Sequence, residues 1–280
     1  GIGAFVEEAP EGGVEIIRVF EGGPAEEAGI EPGDIVVEAD GVDLTGMILN
    51  EALLLIRGEA GTEVELTVVR AGEEDFLTFT VTRARLEVPT VEYRMLDGDI
   101  GYVSLYQFNA ISSREVRAAV DDLLSEGAEG LVLDLRNNPG GYLDEAIEVA
   151  DLFLERSVVL IERNVDGREK SFSASTGDLA EDVPLVVLVN GNSASASEIV
   201  AAAVQDNGRG PVVGETTFGK GSVQLIYDLS DGSQLRVTYA SWYTPDDESI
   251  TENGVEPDVV VEASEEAPAG TDVQLEAAVE

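Results

Sequence analysis

The sequence predicts an α/β chain in two parts, a small β-rich domain followed by a larger domain built on a mostly parallel sheet. Three observations carry this reading. Up to about residue 83 the apolar residues come in short, branched or alternating runs between glycine-rich turns, the pattern of half-buried strands. From Ile100 onward, apolar runs of strand length alternate with helical stretches, the order expected of βαβ units. Two turn-rich stretches, Arg136-Asn137-Asn138-Pro139-Gly140-Gly141 and Asn190-Gly191-Asn192, directly follow such runs. Ligands of open parallel sheets collect at those strand ends.

In the first part, strands are expected at Val14–Val19, Ile35–Ala39, Val64–Val69 and Phe76–Val81. A short helix fits within Gly23–Gly29. A longer one, from about Met47 to Arg57, places Ile48, Ala52, Leu55 and Ile56 on one face. Arg83 to Met95, interrupted by Pro89, reads as a connector. In the second part, Ile100–Leu105 is a strand, and Ser112-Ser113-Arg114-Glu115 has the capping-box spacing that opens a helix. That helix buries Val116, Val120, Leu123 and Leu124 and stops at Gly127. A strand at Leu131–Leu135 leads through the Pro139 turn to a helix with Ala146, Val149, Ala150, Phe153 and Leu154 inward. Val158–Ile161 and Leu185–Val189 read as strands, Ile199–Val204 as helix, and Val223–Leu229, Gln234–Tyr239 and Asp258–Val261 as later strands. The acidic end, residues 263–280, is expected to fray, with a short helix at Val273–Val279.

Composition narrows the chemistry. The chain has no cysteine and no histidine, which removes thiol nucleophiles, Ser-His-Asp triads and metal sites built on thiolate or imidazole. Serine or threonine with a lysine base, paired carboxylates, or an all-oxygen metal site remain. Asp and Glu number 57 against 16 Lys and Arg, a formal charge of −41. Such a field repels nucleic acid and anionic lipid, so neither nucleic acid nor a membrane is an expected partner. The acids are spread along the chain, as on a surface adapted to high salt, where the medium screens self-repulsion. No apolar run reaches membrane-spanning length. No signal peptide is recognisable, and a chain opening at Gly1 reads as an excised or mature fragment.

Within these limits one stretch stands out. After the strand at Leu185–Val189, a serine cluster (Ser193, Ser195, Ser197) precedes an alanine-rich helix, a strand–turn–helix elbow that can hold a hydroxyl beside free helical N–H groups. Further on, Lys220 lies between two glycines and is one of two lysines in the chain, with Lys170. The same residues also suit a helix cap and an exposed turn. On spacing alone Ser193, Ser195 and Ser197 are equivalent.

Longer motifs decide between them. GGPAEEAGIEPGDIVVEADGVDL resembles the PDZ signature, and Gly1-Ile2-Gly3-Ala4 resembles the carboxylate-binding loop of that family. Glycines there let successive N–H groups point at a C-terminal carboxylate. A peptide would add as a strand beside Ala4–Val6, against the Met47–Arg57 helix, with Arg57 and Arg70 as further contacts. Behind it, LVLDLRNNPGG, SASASEIVAAAVQD, GETTFGKGSVQ, YTPDDESI and NGVEPDVVV resemble, in order, the carboxyl-terminal processing proteases, the S41 serine peptidases. The resemblance implies a PDZ domain at 1–83, a protease core of crotonase/ClpP-like type at 84–262 and an acidic tail at 263–280. It places the nucleophile at Ser195, the general base at Lys220 and a lysine-orienting residue at Gln224. The oxyanion donors fall on the backbone N–H of Ala196 and of Gly141 rather than Gly140, and Asp134 and Arg136 read as structural. Asn207 stands where many relatives carry histidine.

The chemistry is coherent without the family. A serine needs a neighbouring base, and a desolvated neutral lysine can serve. Gln224 can bond an amine without adding charge. The resemblance implies no cofactor, substrates that are proteins or peptides with free C-termini, and an extracytoplasmic location in the periplasm or cell envelope; it leaves a homo-oligomer open. Two other functions compete: a catalytically silent PDZ-bearing scaffold, and a carboxylate-pair hydrolase, for which no motif selects two acids.

Overall fold

The computed structural model describes residues 1–9, 12–20, 22–73, 75–86, 89–229, 233–263 and 271–280. It divides into two units, Gly1–Val88 and Pro89–Glu280.

The first unit holds strands β1 (Ala4–Glu8), β2 (Val14–Val19), β3 (Ile35–Ala39) and β4 (Val42–Asp43), with helix α1 (Pro24–Ala28) between β2 and β3. Helix α2 (Leu49–Ile56) precedes β5 (Glu63–Val69) and β6 (Leu77–Thr82). The sheet runs β1-β2-β3-β5-β6, with β4 pairing to β3, and every pairing is antiparallel. Strand β5 shows why: Val64, Leu66 and Val68 alternate inward onto Val14, Ile16, Val36 and Val81. Helix α2 is shorter than its pattern suggested. Ala52 and Ile56 are buried, but Ile48 sits at the extended N-cap and is 60 % exposed. The helix begins one residue too late to bring it inward.

The second unit opens with β7 (Val91–Leu96) and β8 (Ile100–Leu105), then α3 (Ser112–Glu126), β9 (Gly130–Asp134) and α4 (Leu143–Asp151). Next come β10 (Val158–Asn164), β11 (Glu169–Ser173), β12 (Leu185–Val189), α5 (Ala196–Asp206) and β13 (Val212–Gly214). Strands β14 (Ser222–Asp228), β15 (Gln234–Tyr243), β16 (Val259–Val260) and helix α6 (Val273–Val279) close the chain. The central sheet runs β16-β13-β12-β9-β8-β7. Its pairings are parallel except β7 with β8. A second sheet, β11-β10-β15-β14, is wholly antiparallel, so the mostly parallel reading describes the central sheet and not the unit as a whole.

Several local expectations change. The connector contains β7, because the stretch after Pro89 pairs residue for residue with β8 through a tight turn at Asp97–Asp99. Ser112 does not cap α3: its hydroxyl donates to the Gln107 carbonyl and accepts from Asn109 N–H, while Ile111 takes the cap position. The C-terminal end is not frayed beyond residue 270. Leu275, Ala277 and Ala278 of α6 pack with Tyr102, Val132, Leu188 and Val213 on one sheet face. Helices α3, α4 and α5 enclose the main core on the other, where Ile199, Val200, Ala203 and Val204 of α5 are all buried. A helix apolar all round belongs inside the unit, and α5 is there. It carries the serine cluster at its N-terminus.

Candidate active site

Strand β12 delivers the serines and β9 delivers the glycine turn, and the two strands are parallel neighbours. Their loops are therefore side by side and are laced together. Asn137 N–H donates to Asn190 Oδ1 at 2.9 Å, and Asn190 Nδ2 returns a bond to Asn137 Oδ1 at 2.7 Å. The Asn138 carbonyl accepts from Ala194 N–H (3.0 Å) and from the Ser197 hydroxyl (2.9 Å). Ser193 is buried, its hydroxyl on the Leu135 carbonyl. Ser193 and Ser197 are thus committed to holding the loops.

Ser195 differs from both. It is only partly covered and sits at φ 55°, ψ −109° as the residue before α5. A non-glycine residue with φ of that sign carries about 1–3 kcal/mol of strain, and such strain persists only where surrounding bonds enforce it. Here the enforcement is visible. Its N–H donates to Glu198 Oε2 at 2.7 Å, and its carbonyl accepts from Ile199 N–H.

The glycine turn closes on this elbow. Gly140 has φ 91°, and a Cβ there would lie 2.8 Å from both Ser195 Cβ and Ala196 N. Gly141, at φ 150°, faces the Phe108 carbonyl so closely that a Cβ has no room. Gly140 N–H is taken by Asn138 Oδ1 (2.9 Å) and its carbonyl by Phe108 N–H (3.0 Å). Across the planar trans peptide, that carbonyl direction turns Gly141 N–H the opposite way. Among the described residues, neither Gly141 N–H nor Ala196 N–H has an acceptor. Two free donors thus flank Ser195.

Glu198 is the residue that sequence reading missed. Its side chain is 0 % exposed. Oε1 accepts from the Thr217 hydroxyl (2.7 Å) and Gly219 N–H (2.6 Å). Oε2 accepts from Ser195 N–H (2.7 Å) and Lys220 N–H (2.9 Å). One carboxylate oxygen therefore joins the backbones of Ser195 and Lys220. The signal was present as Ser195-x-x-Glu198, the spacing of a capping box.

The Lys220 side chain does not meet the expectation of burial. It is exposed, and it makes no hydrogen bond or ion pair with any described residue, Ser195 included. The physical reason is local: the glycines on either side leave no side chain over it, and only its backbone is tied down. Gln224 lies in β14 opposite Thr238; its side chain is outside the described residues. Asp134 and Arg136 form an ion pair at 2.6 Å, extended to Asp272 at 2.8 Å. Tyr102 donates to Asp134 at 2.6 Å; burial and this carboxylate push its hydroxyl pKa far upward. Asn207 Nδ2 donates to the carbonyls of Val158 and Ala203.

In the first unit a groove of about 240 Å³ is lined by Gly1–Val6, Phe20, Leu53, Ile56, Arg57 and Leu86. The Ile2 carbonyl accepts from Ala25 N–H and the Gly3 carbonyl from Phe20 N–H, which turns Gly3 and Ala4 N–H outward. Strand β1 is an edge strand, as addition of a further strand requires. Arg57 lines this groove. Arg70 does not: Asp34, Glu31 and the Gly29 carbonyl hold its guanidinium elsewhere.

Comparison with known proteins is consistent with this division. The family model of peptidase family S41 matches residues 99–261, and a PDZ-domain model matches residues 15–70. A carboxyl-terminal-processing protease of Synechocystis sp. is 42 % identical over 289 residues, covering 100 % of this chain and 67 % of its own length. A carboxy-terminal processing protease of Bacillus subtilis is 39 % identical, covering 94 % of this chain and 56 % of its own. The chain therefore spans between about half and two thirds of these relatives. Among solved structures, the photosystem II D1 C-terminal processing protease superposes with TM-score 0.67 at 35 % identity, covering 94 % of this chain and 72 % of that one.

Proposed function

This chain belongs to the S41 family of serine peptidases and carries a PDZ domain, and from that premise we propose that it is a carboxyl-terminal processing endopeptidase working through a Ser195/Lys220 dyad. The observation that carries the proposal is the shared bond to Glu198 Oε2 from the N–H groups of Ser195 and Lys220. It holds the backbones of Ser195 and Lys220 against one atom although the two residues stand 25 apart in the chain.

The chemistry runs as follows. The lysine side chain, with four rotatable bonds on a pinned backbone, swings onto the Ser195 hydroxyl when substrate covers the loop. Its neutral amine takes the hydroxyl proton as Oγ bonds to the substrate carbonyl carbon. The oxyanion is met by Ala196 and Gly141 N–H, each worth about 3 kcal/mol by comparison with mutated oxyanion holes. The C–N bond then breaks as the ammonium returns its proton to the leaving amine, and water hydrolyses the acyl-enzyme by the same route. Gln224 orients the amine from β14. In the starting arrangement the lysine side chain stands in solvent, so covering of the site by substrate is part of the reaction.

We infer that the first unit captures the substrate's tail. Gly3 and Ala4 N–H would take the terminal carboxylate, with Arg57 at the rim, while the tail extends along β1. The core is of crotonase/ClpP-like type, its site of action is extracytoplasmic, and the acidic surface suits high salt. A melting temperature unchanged between 0.1 M and 2 M salt would count against that last point. The silent-scaffold reading loses ground to the intact Ser195, Lys220, Gly141 and Ala196 set.

The test is cleavage of a tailed test protein by wild type, Ser195→Ala and Lys220→Ala, with mass spectrometry locating the cut. Loss of cleavage in both variants supports the dyad. Equal cutting by all three would sink it.

A further inference from the structure

Lys220 is not the only side chain left in solvent at this site. Among the described residues of the second unit, the two most exposed aromatic side chains are Tyr142, 63 %, and Phe218, 65 %. They fall on the two loops that flank Ser195. Tyr142 directly follows Gly141, and Phe218 stands two residues before Lys220.

Neither ring is exposed because its loop is loose. Tyr142 N–H donates to the Phe108 carbonyl at 2.8 Å, closing the bridge between Phe108 and Gly141. Phe218 N–H donates to the Ser193 carbonyl at 3.0 Å, and its neighbours Thr217 and Gly219 both bond Glu198. The Phe218 backbone is fixed to the Ser193 end of the elbow and the Tyr142 backbone to Phe108, while both rings face water. Single exposed apolar residues are ordinary. Two rigidly mounted aromatics, one beside a free oxyanion donor and one beside the lysine, form a pair of contacts waiting for apolar surface.

We propose that Tyr142 and Phe218 are specificity-determining residues that grip apolar substrate side chains on opposite sides of the scissile bond. The proposal rests on the Ser195/Lys220 reading. The oxyanion comes from the carbonyl of the residue before the cut, so Tyr142, adjoining Gly141, contacts that residue. The lysine hands its proton to the leaving amine, so Phe218, on the lysine's turn, contacts the residue after the cut. A side chain packed on Phe218 also removes water from the Lys220 amine, which favours its neutral form. The site thus becomes basic when the right substrate is bound.

The experiment uses the whole chain and a peptide series varied one position at a time, Leu or Gly before the cut and Leu or Gly after it. Tyr142→Ala is expected to lower kcat/KM about 10-fold for Leu before the cut and little for Gly there, the scale of discrimination an apolar contact provides. Phe218→Ala is expected to do the same for the residue after the cut. It should also move the rise of kcat with pH to higher pH, whereas Phe218→Leu restores most of both. Tyr142→Phe should behave as wild type, since the ring and not the hydroxyl makes the contact. Equal losses on every peptide, or no change in selectivity, would overturn the proposal. Labelling by a fluorophosphonate separates the two readings. If wild type and both aromatic variants label at Ser195 while selectivity is unmoved, this inference alone fails. If Ser195→Ala labels like wild type, the Ser195 reading fails and this inference falls with it.

Discussion

Two carboxylates, Asp34 in the first unit and Glu198 in the second, are both fully buried, yet the protein neutralises them in opposite ways. Asp34 faces a cation: Arg70 Nε and Nη2 bond its two oxygens at 2.7 and 2.8 Å, and Glu31 N–H adds a third bond. Glu198 faces no cation among the described residues. Three backbone N–H groups and one hydroxyl hold it. The first arrangement is a staple whose whole effect is to fix β3 near the end of β5. The second uses the charge as a hub that ties the Ser195 elbow to the loop carrying Lys220. A buried charge held by amide dipoles marks a place where geometry matters more than local neutrality.

That contrast can be broken by mutation. Glu198→Gln preserves volume but turns an NH₂ group toward at least one backbone N–H donor whichever way the amide faces. A shift of the elbow by about 1 Å should lower kcat about 100-fold, measured on any peptide the wild type cleaves, with a cooperative thermal transition retained. A kcat within three-fold of wild type would make Glu198 only another staple. Asp34→Asn should do the reverse. Breaking its pair with Arg70, which is partly solvated, should cost about 2 kcal/mol of stability, read as a lower melting temperature, with kcat unchanged.

A smaller effect is expected at Asp272, which caps α6 through Leu275 N–H and pairs with Arg136. Burial alone would raise its pKa, but the Arg136 bonds and the N–H groups at the helix start outweigh burial and hold it below the usual range. A depressed folded pKa means that the stabilisation is present above the unfolded pKa and is lost as pH falls through the folded one. Asp272→Asn keeps the cap and removes the ion pair, so it should cost about 1 kcal/mol near neutral pH, the scale of a half-exposed pair. That difference should vanish in acid. A constant offset between the two melting curves from pH 7 to pH 3 would refute the assignment.

The same contrast explains what could be read from the sequence. The serine cluster and Lys220 stood out because composition had removed histidine and cysteine and left few ways to activate a hydroxyl, and only the resemblance to the S41 peptidases selected Ser195 among the three serines. Strands β9 and β12 were legible because apolar runs five residues long have little other use, whereas their side-by-side pairing came only from the structure. Glu198 was not, although Ser195-x-x-Glu198 has capping-box spacing. In a chain with 57 acids a glutamate on a helix reads as surface, whereas the same spacing at Ser112 drew a cap that does not form. The docking of α6 was also hidden, since Asp272 finds Arg136 across 136 residues and no local pattern reports such a partner. The glycines around Lys220 suited an exposed turn as well as a covered base, and local sequence did not choose between them.

The most direct test of the account is a double-mutant cycle on the acylation of Ser195. Single-turnover acylation by an activated ester substrate would be timed in wild type, Glu198→Gln, Lys220→Ala and the double variant. If Glu198 acts by aligning serine with lysine, its loss costs much less once the lysine is gone, and the double variant acylates almost as fast as Lys220→Ala alone. Costs that simply add would show that Glu198 and Lys220 act independently, and would contradict the shared carboxylate as the organising element of the site.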